Sequence, residues 1–187
     1  MRKILISSLF AVSALAADPV QDSLNEAMEA YKAGRFSEAA GQLDYAAQLV
    51  REKKAEEIAK SLPDPLEGWT AEDATSQASG GGFMGSVTQA ERTYSKDGGG
   101  SLEITILADS PMVAQMSMMF SNPSFIRQSG GEFIRIGGQP AMLKKDGSSI
   151  ELNMVAGGAL ITLNGGSVDA DEVKAYASKI DLERLTK

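Results

Sequence analysis

The chain has no cysteine and no histidine among its 187 residues. Without thiols there is no disulfide framework, no thiolate-bound zinc or iron–sulfur cluster and no Cys nucleophile, and without imidazole there is no Ser-His-Asp relay. The commonest general base at neutral pH and the commonest transition-metal ligand are missing together. What remains for chemistry is carboxylate, Lys, Ser/Thr and Tyr. The carboxylates are scattered, and Asp169, Asp171 and Glu172 read as charges that complement a helix N-terminus. Asp146-Gly147-Ser148 lacks the residue order of an aspartic-protease loop, and no Ser-x-x-Lys falls in a strand-to-helix turn. The expectation is a protein that is not an enzyme, with no catalytic residue and no cofactor.

Long hydrophobic runs are also scarce. The one apolar stretch, Ile4 through Leu15, follows Arg2 and Lys3 and ends in Ala14-Leu15-Ala16, the three parts of a secretory signal peptide. It is shorter than the roughly 20 residues a membrane span needs and is interrupted by Ser7, Ser8 and Ser13. No Cys follows it to carry a lipid anchor. Residues 1–16 are therefore expected to be cleaved, leaving a periplasmic protein with no stable membrane insertion. Loss of Arg2 and Lys3 moves the formal charge from -7 to -9, because 16 basic side chains then face 25 acidic ones. An acidic chain without a dense Lys/Arg block repels phosphate backbones, so nucleic acid is excluded as a partner.

Residues 17–62 read as a helical hairpin. Ser23 and Glu26 have capping-box spacing, and Leu24, Ala27, Met28 and Tyr31 share one helical face. Gly34-Arg35 breaks the run, and Phe36, Ala39, Ala40, Leu43, Ala46 and Val50 restart it. Between Arg51 and Lys60 the charges alternate, as on a solvated helix face. Pro63 and Pro65 stop the helix and mark the expected boundary with a second domain, 63–187.

In that second segment the pattern changes to period 2. Leu102, Ile104 and Ile106 alternate with polar residues, as do Ile150, Leu152 and Met154, with glycine turns at 97–100, 137–138, 146–147 and 157–158. Strands are expected near 86–95, 101–108, 132–137, 140–145, 148–155 and 159–164. Asp109-Ser110-Pro111 starts a helix through Phe120, and Asp169 to Glu172 start another that carries Val173, Tyr176, Ala177 and Ile180. The fold class is α+β: a helical hairpin followed by a mostly antiparallel sheet of about six strands packed with two helices. Trp69, the only tryptophan, is read as a plug at the edge of the core. Gly80 to Gly85 spells G-x-G-x-x-G, but a strand rather than a helix follows, so the segment reads as a loop.

Tyr31, Gly34, Phe36, Ala39, Leu43 and Ala46 resemble the middle of a single tetratricopeptide repeat, over about 22–62. One unit admits two readings, a hairpin docked on the neighbouring domain or a binding module. The Pro65 and Gly68-Trp69 entry, followed by hairpin, helix, glycine-punctuated meander and closing helix, resembles the PsbP-like and DcrB-like sandwich family over about 62–185. That resemblance implies an accessory or adaptor role and transfers no site residue.

The function expected is therefore a non-catalytic accessory or adaptor protein of the bacterial envelope that binds a protein partner. The candidate contact residues are Tyr31, Phe36 and Tyr45 on the hairpin and Phe83 and Met84 in the glycine loop. The alternative is a periplasmic binder of a small molecule or Cu(I) on the helix 111–121. There Met112, Met116 and Met119 share a face, and thioethers are soft ligands, although Met equally fills irregular core space.

Overall fold

A computed structural model describes residues 18–80 and 86–186. By compactness the chain divides inside a helix, between Ala47 and Gln48. The division therefore falls earlier in the chain than the prolines at 63 and 65.

The first unit is built on α1 (Pro19–Lys32) and the start of α2 (Phe36–Ala59). α1 begins at Asp18-Pro19 rather than at the expected Ser23 capping box. Asp18 accepts a hydrogen bond from the Val20 amide at 3.0 Å, and proline at the first helical position loses no needed N–H. Ser23 lies one turn inside, where its hydroxyl donates to the Pro19 carbonyl at 2.9 Å. Gly34, at φ 74, makes the left-handed turn between the helices that a side chain would strain.

The second unit runs from Gln48 and holds an open, wholly antiparallel sheet of eight strands, two more than expected. They are β1 (Trp69–Ala71), β2 (Thr75–Gly80), β3 (Ser86–Lys96), β4 (Ser101–Ala108), β5 (Glu132–Ile136), β6 (Gln139–Asp146), β7 (Ser149–Ala156) and β8 (Ala159–Gly166). The spatial order is β1-β3-β4-β8-β7-β6-β5, and β2 pairs with the first half of β3. The extra strands are β1, only three residues long, and β2, whose Thr75-Ser76-Gln77-Ala78 carries no apolar alternation. Three helices rather than two accompany the sheet: α3 (Pro111–Phe120), α4 (Pro123–Gln128) and α5 (Ala170–Lys179). α4 is a single short run started by Asn122, which accepts from the Ser124 amide.

The strand register explains the core. Ile104, Leu163, Leu152 and Leu143 face one another across four neighbouring strands, as do Ile106, Ile161, Met154 and Ala141. All eight point to one side and are buried. At about 1.5–3 kcal/mol per fully buried large aliphatic side chain, these rows dominate the stability of the unit. They are covered by Val173, Tyr176 and Ala177 of α5, by Ile58 near the end of α2 and by Leu62 just beyond it. Trp69 is buried there, its ring 5.1 Å from that of Tyr176, which in turn lies 4.6 Å from Tyr94. The proline segment is tied into this cluster. Tyr94 donates to the Pro63 carbonyl at 2.8 Å, and the Leu66 amide donates to the Tyr176 hydroxyl at 3.1 Å.

On the opposite face a smaller cluster seats Val113, Phe120 and Ile126 of α3 and α4 on Met142 and Leu160.

Candidate partner-binding surface

In the hairpin the buried positions are small. Ser23, Ala27 and Ala30 are buried on α1, and Ala39 and Ala46 on α2. The large apolar side chains that the sequence assigned to the same stripe are exposed instead: Leu24, Met28 and Tyr31 on α1, and Phe36, Leu43 and Val50 on α2. Alanine contributes little area but permits close approach, so the bulky residues are left outside. Of the ten large hydrophobic side chains exposed among the described residues, seven are on these two helices. Clustered exposure of this kind makes the hairpin the candidate surface, whereas single exposed residues need no explanation.

Helical geometry sorts the hairpin into two faces. At about 3.6 residues per turn, Leu24, Met28 and Tyr31 fall on one side of the buried alanines, as do Phe36, Ala40, Leu43 and Ala47 on α2. Asp22, Glu26, Glu38 and Tyr45 fall on the other side, where with Pro19, Ser23, Gly41 and Gln42 they line a groove of about 490 Å³. Of the three hairpin aromatics singled out from sequence, Tyr31 and Phe36 therefore come together and Tyr45 does not join them. The rings of Tyr31 and Phe36 meet edge to face at 5.7 Å and remain 66% and 64% exposed. Phe83 and Met84 lie outside the described residues, as does the expected signal peptide.

No family model, curated protein or solved structure matches the chain.

The methionine candidates are divided by packing. Met112 is exposed, whereas Met116 and Met119 are half-buried against the cluster of Phe120, Ile126 and Met142. Only the first is presented freely to solvent. Among the described residues, no group of three or more carboxylates is placed to hold a metal ion.

Two features were missed from sequence. The first is the bare part of the second sheet face, where Glu103, Asn164, Glu151 and Lys144 align across four strands. Beside that row, Thr162 donates to Asn153 and Asn153 donates to Glu151, so the polar groups satisfy one another. The alternation showed polar residues here, but sequence alone does not say which face a helix will cover. The second is Asp109, held at φ 58 just before α3. It accepts from Lys54 of α2 at 2.7 Å and from the buried Thr88 of β3 at 2.9 Å. Burial opposes its ionisation, but these two hydrogen bonds and the Lys54 charge outweigh it and keep the carboxyl below its ordinary pKa. This is a clamp between α2 and the sheet, and nothing in the sequence pattern signals it.

Proposed function

We propose that the chain is an exported, non-catalytic accessory protein of the bacterial envelope that binds a protein partner through the apolar face of its helical hairpin. The observation that carries this reading is the concentration of exposed Leu24, Met28, Tyr31, Phe36 and Leu43 on a scaffold whose own buried positions are alanines. Residues that fold the hairpin and residues that cover it are thus different, as expected of a recognition surface. The reading of export rests on Arg2 to Ala16, and the adaptor role accords with the resemblance to the PsbP-like and DcrB-like sandwich family. The absence of His and Cys supports a non-catalytic role. The packing of Met116 and Met119 weighs against a shared thioether site.

Affinity capture from periplasmic extract with the tagged protein and its Phe36→Asp variant tests the proposal. A specific protein retained by the wild type and lost by the variant is the expected result. No specific protein, or equal recovery by both, would reject it.

A further inference from the structure

We infer that the apolar face of the hairpin pairs with the same face of a second copy, α2 running antiparallel to the partner's α2 about a two-fold axis midway between Leu43 and Ala47. The inference rests on the preceding reading that this face is a protein-binding surface and names its occupant. Phe36, Ala40, Leu43 and Ala47 are spaced by four, three and four residues, the alternation of a two-helix seam. Along that seam large and small side chains alternate. An antiparallel two-fold sets Leu43 of each copy against the partner's Ala47, so both central layers pair a knob with a notch, and one rotation satisfies both. Leu24, Met28 and Tyr31 then flank the pair, giving four helices around one seam.

Charge and area agree with this occupant. Asp22, Glu26 and Glu38 lie in the groove on the other side of the hairpin, so pairing buries none of them. Asp44 beside the axis is exposed, where a like-charge neighbour costs little, and Lys54, which this register sets against the partner's Phe36, keeps its ammonium on Asp109 at 2.7 Å and offers the ring its aliphatic stem. Leu24, Met28, Tyr31, Phe36 and Leu43 are 45–66% exposed. Together with the two alanines they offer on the order of 600–800 Å² per copy, close to the roughly 800 Å² that one partner contributes to a standard interface.

The chain's lack of cysteine makes single-cysteine cross-linking a clean test. Asp44→Cys, beside the axis, is expected to form a covalent dimer on mild oxidation, and Tyr45→Cys, on the groove side, is not. Light scattering of the purified protein at about 100 µM, above the micromolar limit of weak interfaces of this size, is expected to give twice the chain mass. Leu43→Asp is expected to weaken the dimer at least about a hundredfold, because it buries an unpaired charge, with an unchanged circular-dichroism spectrum. A monomeric wild type, a dimer that survives Leu43→Asp, or cross-linking at both cysteine positions or neither overturns the inference. A monomeric wild type that still captures a protein lost by Phe36→Asp overturns the second copy as occupant and leaves the adaptor reading standing.

Discussion

Tyr31 and Phe36 stand edge to face across the hairpin turn, with ring centroids 5.7 Å apart and planes at 62°, yet about two-thirds of each side chain faces solvent. An edge-to-face pair is worth about 0.5–1.5 kcal/mol beyond its area. It fixes the two rings as one rigid, exposed feature at the tip of the hairpin. Pre-ordered aromatics of this kind bind with little further loss of side-chain entropy.

The Asp109 clamp gives the protein an acid-sensitive joint. Its pKa is below the ordinary 3.8, so its contribution is present above that value and disappears as pH falls through the lowered one. Asn tolerates the left-handed backbone, so Asp109→Asn removes the charge without adding strain. The variant is expected to be about 1 kcal/mol less stable at pH 7, a modest loss because the pair is partly solvated. Urea midpoints should converge for variant and wild type near the acid end. An equal difference at both pH values would contradict the ion pair.

Burial pushes the Tyr94 hydroxyl up to about 12, with the Arg92 charge acting against it. A raised phenol pKa means that the folded state holds its proton longer, so this contribution is lost as pH rises from about 10 through 12. Burial raises the neighbouring Tyr176 as well, so absorbance titration at alkaline pH should show more than one phenol ionising late, and Tyr94→Phe should reduce that late absorbance by one phenol. The variant is expected to cost about 1 kcal/mol. The cost stays small because the Pro63 carbonyl still accepts from Arg92 at 3.1 Å.

Gly165 lies beneath the start of α5, where an added Cβ would come within 2.6 Å of Val168 Cγ2 and 3.1 Å of Val173 Cγ2. Gly165→Ala is expected to destabilise by about 1–3 kcal/mol through overpacking. Thermal unfolding checks it, and an unchanged midpoint would show that α5 moves aside without cost.

Cu(I) is expected to find no site on α3. Met116 and Met119 are engaged with the sheet, and the exposed Met112 and Met118 are left without the third thioether that a shared face would supply. Isothermal titration under anaerobic conditions should detect no binding tighter than micromolar. Submicromolar binding abolished by Met112→Leu would restore the metal reading.

What the sequence made legible follows from how strongly each element is patterned. The two aliphatic rows through Ile104 and Ile106 alternate without a break, so β4, β7 and β8 were placed nearly to the residue. β1 and β2 were missed because an edge strand partly open to water need not alternate. Ser23 was a sound capping signal displaced by a better one, Asp18-Pro19, just upstream. The hairpin stripe is legible as periodic, but its division into buried alanines and exposed larger residues is not, because period reports which residues share a face and not what covers it. Only the structure shows that Ala27, Ala30, Ala39 and Ala46 are buried while the larger side chains beside them are exposed. Asp109 depends on three segments far apart in the chain, beyond the reach of any local pattern.

The most direct test of the central claim separates folding from binding on the hairpin. A variant carrying Leu24→Ser, Tyr31→Ser, Phe36→Ser and Leu43→Ser removes the exposed apolar face and leaves every buried alanine in place. Surface substitutions away from structural contacts typically fall within about 0.5 kcal/mol each, and the lost Tyr31–Phe36 ring contact adds about 0.5–1.5 kcal/mol, so the expected result is a thermal midpoint lowered by less than about 10 °C and loss of partner capture. A midpoint lowered by more than about 10 °C, the scale of a core lesion of several kcal/mol, together with capture undiminished, would contradict it.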